Sequence, residues 1–249
     1  MKLTFHYSTL LAAALVVAAP LSVDAGVLGA DDFSEGDGAL LNGKTADVGG
    51  VWAAPDSGQI QGGAYDTAQF GDSHQGAFVD FSGALAAGET LTMTFETLAT
   101  AGDMFSDGVS GNSYAGISLY VGGDEKFFVG DPAGGNDVLG TGWTLDGFAG
   151  GSGVAISAIG SEAVSGVFTY HFDSGNASLT VDDGVTSDTI FRTYDPGVAI
   201  NRLRIQAGDG AAEINVASFS VSSDVPEPAS LSLLGFIAVG GVAARRWKR

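Results

Sequence analysis

Cysteine is absent from the 249 residues of this chain. The absence excludes a disulfide framework and a metal site built on thiolate ligands. Stability must therefore come from core burial, a hydrogen-bonded sheet or bound ions. Apolar residues make up 45% of the sequence, which is enough to bury a core and argues against a disordered chain.

Basic residues are scarce, with 10 lysines and arginines against 29 acids and a net charge of −19. Residues 26–225 are more acidic still, because they hold 27 of the acids and five basic residues, a balance of −22. Those five are Lys44, Lys126, Arg192, Arg202 and Arg204. Such a surface repels nucleic-acid phosphates and anionic membranes. The composition therefore excludes nucleic acid as a partner and permits divalent cations and neutral polymers.

A sustained 3.6-residue apolar period is missing between the two ends, where short β-like runs alternate with glycine-rich turns. Thr90–Leu98 reads TLTMTFETL and has the two-residue alternation of a half-buried strand. VFTYHFDSGNASLTVDDG predicts a hairpin that turns at Asp173–Asn176 and closes at Asp183-Gly184. Further strands are predicted over Tyr114–Val121, Lys126–Val129, Val154–Ile159, Ile190–Tyr194, Ala199–Gln206 and Glu213–Val221. Many short strands with glycine turns predict an all-β, two-sheet antiparallel sandwich.

Residues 1–25 have the pattern of a secretory signal peptide. Lys2 precedes an apolar run from Leu10 to Ala19, and Val23 and Ala25 occupy the −3 and −1 positions of a cut after Ala25. A buried helix or an uncleaved anchor is the alternative, but a run of about ten residues is too short to span a bilayer. The pattern predicts an N-terminal signal helix, export through the Sec translocon and cleavage by signal peptidase.

Residues 225–249 combine an uncharged run with a cationic end. Ala229–Ala244 carries no charge and would extend about 24 Å as a helix, slightly less than a hydrocarbon core. Arg245 and Arg246 begin the basic cluster that follows it, which argues against a helix docked on the core. Positive residues stay in the cytoplasm. The pattern therefore predicts a weak transmembrane helix over 229–244, with the body across the inner membrane.

This C-terminal arrangement resembles the PEP-CTERM sorting signal of Gram-negative bacteria. Pro226, Glu227 and Pro228 precede the apolar span, and Arg245 and Arg246 follow it, so the three parts of the signal stand in order. The resemblance implies recognition by exosortase, an intramembrane cysteine transpeptidase of bacteria that make exopolysaccharide, and removal of the tail. It implies transient membrane anchoring, then a place at the cell surface or in the extracellular matrix.

The body, residues 26–224, resembles a second family. DDFSEGDGALLNGKTADVGGVWAA and INRLRIQAGDGAAEINVASFSV are similar to the opening and closing strands of concanavalin A-like (laminin G-like) jelly-roll domains. The resemblance covers roughly residues 31–222 and implies that the first and last strands pair in one sheet. It implies a glycan- or matrix-binding role, although this fold hosts lectins, binding modules and glycosidases alike.

Residue patterns for catalysis are missing from the sequence. Glycosidases of the laminarinase type on this fold carry alternating acids, and the nearest match, Glu213-Ile214-Asn215-Val216, lacks the second and third of them. The histidines, His6, His74 and His171, lie next to no triad or zinc motif. The sequence therefore predicts no catalytic residues and no enzyme activity.

Calcium is the cofactor that the acidic loops would suit, because it takes six to eight oxygen ligands. Asp31 and Asp32 would approach Glu213 or Asp209 if the first and last strands pair. Other acidic loops are Asp103–Asp107 and Asp182-Asp183. Solvated acids that bind no ion are the alternative at each cluster. The sequence thus offers Asp31, Asp32 and Glu213 as candidate calcium ligands.

Sugar-binding sites on sandwiches use exposed aromatic rings beside polar groups. Trp52, Tyr65, Tyr114 and Trp143 lie in or beside glycine-rich loops and are the candidates. Each could instead be a core residue, because large aromatic side chains are highly buried on average.

Together these patterns predict an exported bacterial surface or matrix protein with a non-catalytic structural or adhesive role. The alternative is a carbohydrate-binding, lectin-like module that acts on exopolysaccharide. A glycoside hydrolase is the third hypothesis.

Overall fold

Two antiparallel β-sheets form the fold in the computed structural model, which describes residues 26–54, 58–67, 76–100, 104–105, 114–132, 142–150, 153–156, 158–208 and 213–224. Fourteen strands lie within these ranges: β1 Gly26–Asp31, β2 Gln59–Gln61, β3 Ala64–Asp66, β4 Ala77–Asp80, β5 Thr90–Leu98, β6 Tyr114–Val121, β7 Asp124–Asp131, β8 Thr144–Asp146, β9 Val154–Ala155, β10 Ser165–His171, β11 Asn176–Asp182, β12 Ser187–Thr193, β13 Arg202–Gly208 and β14 Asn215–Asp224.

The strands divide into an eight-stranded and a six-stranded sheet. The larger has the order β12-β11-β10-β5-β14-β3-β2, with β1 also paired to β14, and the smaller has the order β4-β13-β6-β7-β8-β9. The chain passes repeatedly between the sheets, so each contains strands from both halves of the sequence. The predicted all-β, two-sheet antiparallel sandwich is confirmed.

Pairing of the first and last strands, which the family resemblance implies, is present. β1 runs antiparallel to β14, with Ala30 opposite Ser220 and Asp31 opposite Phe219. The predicted hairpin is β10–β11, in which Phe168 lies opposite Leu179. Its turn places Gly175 at a φ of 71°, a conformation that side chains with a Cβ rarely adopt.

Side chains from the two inner faces interdigitate to form the core. Leu91, Met93 and Phe95 of β5 are buried, and the intervening residues face outward, as the alternation of this strand predicts. An aromatic cluster joins the sheets: the ring centroid of Phe127 lies 4.8 Å from that of Tyr170 and 4.8 Å from that of Tyr194. This packing fixes the smaller sheet, whose outer face carries the site described below.

One predicted strand is shorter than expected. Within Val154–Ile159, only Val154–Ala155 pairs as a strand, and Ile156 and Ile159 are core residues with no exposed surface. Ile156 N–H donates to the carbonyl of Trp143 at 2.7 Å, which ties this segment into the core after the strand ends.

None of the described residues forms a helix with the length and apolarity needed to cross a membrane. The predicted signal helix within residues 1–25 and the predicted transmembrane helix over 229–244 lie outside the described residues.

Candidate functional site

The outer face of the six-stranded sheet carries an unusual set of polar and aromatic side chains. Along β13, Leu203 and Ile205 enter the core, so Arg202, Arg204 and Gln206 project from the opposite face. Along β6, the same alternation puts Tyr114, Ser118 and Tyr120 on that outer face. Ser118 and Gln206 are nevertheless buried, so this face is recessed.

A cavity of about 300 Å³ opens on this face. Strands β6, β7, β8 and β13 supply most of its wall, and the residues that follow β7 and β8 complete it. The lining residues are Tyr114, Glu125, Phe128, Pro132, Asp146, Phe148, Arg204 and Gln206. Three aromatic rings therefore share a small concave surface with two carboxylates, one guanidinium and one amide.

A β-bulge turns Glu125 towards the cavity. Tyr120 lies opposite Glu125 and Leu119 opposite Phe127, so Lys126 is the extra residue of β7. Because of this insertion, Glu125 and Phe128 project from the same face, although only two residues lie between them.

Hydrogen bonds from two buried residues hold the carboxylate of Glu125 in place. Ser118 Oγ donates to Glu125 Oε1 at 2.5 Å, and Gln206 Nε2 donates to the same oxygen at 3.2 Å. Gln206 Nε2 also donates to Ser118 Oγ at 2.6 Å. Within the described part of the chain, no donor is bonded to the second oxygen, Oε2. Glu125 thus presents one oriented, charged acceptor at the cavity wall.

Arg204 is oriented by two aromatic side chains. Its guanidinium carbon lies 4.8 Å from the ring centroid of Phe78, and Nη1 donates to Tyr120 Oη at 3.3 Å. Burial raises the pKa of Tyr120 above its ordinary value, against the opposing effect of the Arg204 hydrogen bond. Arg202 also lies over Phe78, at 5.6 Å, and pairs with Asp80 through Nε at 2.5 Å. Both arginine side chains thus pack over Phe78 of β4, and Arg204 also reaches Tyr120 of β6.

Phe148 forms the rim of the cavity and is 72% exposed. The preceding Gly147 has a φ of 152°, and a Cβ there would lie 2.2 Å from the carbonyl oxygen of Lys126. Only glycine permits this close approach of the loop to β7. Phe148 N–H then donates to the Lys126 carbonyl at 3.0 Å, which places the ring at the mouth of the cavity.

Asp146 also lines the cavity and belongs to a buried network. Asp146 is only 6% exposed, and one of its carboxylate oxygens lies 3.9 Å from Arg192 Nη1. Tyr194 Oη donates to the carbonyl oxygen of Asp146 at 2.9 Å. The guanidinium of Arg192 lies 4.6 Å from the ring centroid of Tyr194. These contacts tie the cavity wall to the larger sheet.

Of the four aromatic residues predicted to bind glycan, Tyr114 alone lines the cavity. Trp52, Tyr65 and Trp143 are 1%, 3% and 0% exposed, so their rings pack in the core and do not face solvent. Trp52 Nε1 donates to Asp31 Oδ2 at 2.7 Å, and Trp143 Nε1 donates to the carbonyl of Ser161 at 3.0 Å. The indole N–H groups therefore have partners inside the protein. Trp52, Tyr65 and Trp143 are core residues, which is the alternative that the sequence left open.

Several cavity residues were missed by the sequence analysis. Arg204 and Gln206 alternate with Leu203 and Ile205, so the period of β13 could have placed them on one face. The two-residue alternation does not single out the other four missed residues, because a bulge and a loop bring them to the cavity. They are Glu125, Phe128, Asp146 and Phe148.

The predicted calcium ligands Asp31 and Asp32 are neighbours of Asp47, and these three carboxylates have oxygen atoms within 4.8 Å of one another. Asp31 is already engaged, however. Lys44 Nζ donates to its two oxygens at 2.6 and 2.7 Å. Since Trp52 and the N–H of Phe33 also donate to Asp31, a cation bound here would have to displace Lys44.

Glu213, the third predicted calcium ligand, lies apart from Asp31. Asp31 is opposite Phe219 in the β1–β14 pair, and Glu213 precedes that position by six residues, about 20 Å of extended chain. This part of the prediction is wrong, because strand pairing alone does not bring together residues at different heights of the same strand. Asp209, the alternative ligand, lies outside the described residues.

The remaining acidic loops serve as turns or cannot be placed. Asp183 Oδ1 accepts from the N–H groups of Val185 and Thr186, at 2.9 and 2.7 Å. The hydrogen bond from Thr186 is the main cause that lowers the pKa of Asp183. The loop Asp103–Asp107 is described only at Met104 and Phe105, so its acids lie outside the described residues.

The predicted processing residues also lie outside the described ranges. They are the cleavage residue Ala25 and the sorting residues Pro226, Glu227, Pro228, Arg245 and Arg246. His74 lies outside them as well, and His171 is an exposed strand residue whose Nδ1 lies 2.8 Å from Thr90 Oγ1.

Similarity to known proteins is confined to solved structures. No family model matches the chain, and no curated protein matches it. The predicted sorting signal therefore remains a prediction.

Lectin II from Ulex europaeus is 10% identical, with a TM-score of 0.49 over 70% of this chain and 92% of that one. Arcelin-5, a lectin-like defense protein from Phaseolus vulgaris, is 12% identical, with a TM-score of 0.47 over 77% and 99%. The Lotus tetragonolobus seed lectin is 9% identical, with a TM-score of 0.48 over 81% and 100%. These likenesses concern overall fold, and they assign neither a ligand nor a site residue to this chain.

Proposed function

We propose that this protein binds carbohydrate in the cavity on the outer face of its six-stranded sheet. The observation that carries the proposal is the cavity of about 300 Å³, which three aromatic side chains share with Glu125, Arg204 and Gln206. Apolar faces of sugar rings stack on aromatic rings, and hydroxyl groups need fixed donors and acceptors. Both kinds of group are present, and Glu125 is oriented before any ligand arrives. A volume of about 300 Å³ lies at the lower end of the range for small-ligand sites.

Phe148 provides the test, because its ring is exposed at the rim. We expect Phe148→Ala to weaken glycan binding roughly tenfold, since ring stacking contributes about 0.5–1.5 kcal/mol beyond buried area. Phe191→Ala is the matched control: Phe191 is 76% exposed, but it lies on β12 of the other sheet. Binding of the full-length variants to a panel of neutral and charged oligosaccharides would be measured by isothermal titration calorimetry. If no glycan binds, or if both variants lose affinity equally, the proposed site is wrong.

The proposed role is binding without catalysis. Hydrolysis would need Glu125 and Asp146, the two carboxylates of the cavity, to act as an acid and base pair. Asp146 is instead buried against Arg192 at 3.9 Å, and Glu125 is held by two donors. Release of reducing sugar that disappears in Glu125→Gln would overturn this part of the proposal.

We propose that binding takes place outside the cell, on the support of the sequence patterns at the two ends. A glycan-binding body displayed at the surface or in the matrix would contact exopolysaccharide, and its binding would be adhesive. Sec translocon, signal peptidase and exosortase are the proposed partners in export, with transient passage through the inner membrane. Fractionation of a host with exosortase, with mass spectrometry of the mature termini, tests this. Intact protein in the cytoplasm, with Met1 and Arg249 retained, would refute it.

A further inference from the structure

We propose that the cavity selects a glycan that bears a protonated amine, such as a de-N-acetylated hexosamine, and that Glu125 Oε2 is the atom that binds it. This inference rests on the proposed function and specifies the class of sugar. It comes from the charge, the rings and the hydrogen bonds of the cavity residues.

The hydrogen bonds of Glu125 leave one oxygen for a ligand. Both of its donors, Ser118 and Gln206, reach Oε1 and are themselves buried, so the carboxylate cannot rotate freely. A charged acceptor makes stronger hydrogen bonds with a charged donor than with a neutral one. An ammonium group would therefore gain more from Oε2 than a sugar hydroxyl would.

The aromatic rings favour the same kind of ligand. Tyr114, Phe128 and Phe148 line the cavity beside the carboxylates, and the faces of aromatic rings carry negative potential. Cations are attracted to such faces, and clusters of rings are a known way of recognising ammonium groups. The rings can thus stack on the sugar and favour its amine at the same time.

The described lining holds one cation, Arg204, whose guanidinium is engaged by two aromatic side chains. The guanidinium carbon of Arg204 lies 4.8 Å from the ring centroid of Phe78 on β4, and Nη1 donates to Tyr120 Oη on β6. Asp146, the second lining carboxylate, is paired with Arg192 at 3.9 Å, so the excess of negative charge comes from the whole chain, which carries −19. Electrostatic attraction therefore favours a cationic sugar and disfavours a uronic acid or a sulfated one.

The test compares two oligosaccharides that differ only at nitrogen. Full-length protein would be titrated with a glucosamine oligomer and with the fully N-acetylated oligomer of equal length and linkage, at a pH where the amine is protonated. We expect at least about tenfold tighter binding of the amine form, and we expect sodium chloride to weaken that preference. In Glu125→Gln, the preference should disappear, because affinity for the glucosamine oligomer should fall at least about tenfold.

Glu96→Gln is the matched control, because it removes the same charge from an exposed position of β5 on the other sheet. Its preference for the amine form should match that of the unmodified protein.

Equal affinity for the two oligomers would refute the inference and leave the proposed function standing, provided that Phe148→Ala still weakens binding. A preference that survives in Glu125→Gln would also refute it, since a diffuse acidic surface would then be the cause. Thermal unfolding would check that each variant is folded; should Glu125→Gln not fold, the comparison of oligomers by the unmodified protein decides.

Discussion

Asp31 is a buried carboxylate whose charge is balanced inside the fold by Lys44. The side chain of Asp31 has no exposed surface and that of Lys44 is 10% exposed. Burial alone would lower the pKa of Lys44, but the hydrogen bonds and charges of Asp31 and Glu35 outweigh it and raise the pKa above its ordinary value. The pair anchors β1 to the segment that carries Trp52, which donates to the same carboxylate.

Removing one member of this pair should destabilise the protein strongly. We expect Asp31→Asn or Lys44→Met to lower the free energy of unfolding by about 3–5 kcal/mol, because each leaves a buried charge without its partner. The double variant should lose less than the sum of the single losses, since the two residues interact directly. Urea unfolding at pH 7 would measure these changes.

Lys126→Met serves as the control for this prediction. Lys126 lies 3.8 Å from Asp124, whose side chain is 81% exposed. Exposed pairs contribute about 0–1 kcal/mol, so this variant should be nearly neutral. Additive losses in the double variant would mean that the ion pair is not the cause.

From the sequence, only one member of this ion pair, Asp31, can be singled out. Asp31 and Asp32 stand out as adjacent acids in an acidic protein, and this pattern predicts a calcium site. The partner that neutralises Asp31 is 13 residues away, and only the path of the chain brings its ammonium to 2.6 Å. A single sequence contains no signal for such a contact.

Strands β10 and β5 are neighbours in the larger sheet, and at one position of their pairing β10 carries a glycine, which has no side chain. Gly166 lies opposite Phe95 in the register of these strands. A Cβ at Gly166 would lie 2.0 Å from the ring of Phe95. The glycine is therefore required by the approach of the aromatic ring across the sheet.

An added methyl group should disturb this packing. We expect Gly166→Ala to reduce the free energy of unfolding by about 1–3 kcal/mol, the usual cost of overpacking a core. Gly123→Ala is the control, because a Cβ at Gly123 would meet no atom within 4 Å. Its effect should stay within about 0.5 kcal/mol. Urea unfolding of both variants checks the prediction, and equal losses would show that Phe95 is not the cause.

Elements with a long alternation could be predicted, and short ones could not. Thr90–Leu98 and Tyr114–Val121 match β5 and β6 in both bounds. By contrast, β2, β3 and β8 have three residues each, too few for a two-residue period to be recognised. The cavity depends on β8 and on the bulge in β7, so most of the candidate site could not be read from the sequence.

At the scale of the whole molecule, several titrating groups respond to pH in the same direction. Burial raises the pKa of Tyr120, Tyr170 and Tyr194 above the ordinary value for tyrosine. Lys44 also has a raised pKa. In each case the folded protein holds the proton more tightly than the unfolded chain does. Their contribution to stability is therefore complete below the unfolded values and is lost as the pH rises through the folded ones.

We therefore expect the free energy of unfolding to fall as the pH rises above about 10, the ordinary pKa of tyrosine. Each group that remains protonated only in the folded state contributes a slope of about 1.4 kcal/mol per pH unit. Tyr194→Phe should remove one such contribution. It should also cost about 1 kcal/mol at pH 8, because Tyr194 Oη donates to the carbonyl of Asp146. Urea unfolding at pH 8, 9, 10 and 11 would measure both effects. Because the net charge of −19 adds self-repulsion that salt screens, the series would be repeated in high salt. The contrary result is a free energy of unfolding that falls equally steeply between pH 9 and 11 in the unmodified protein and in Tyr194→Phe. That result would mean that general charge repulsion, and not the buried phenol, governs stability at high pH.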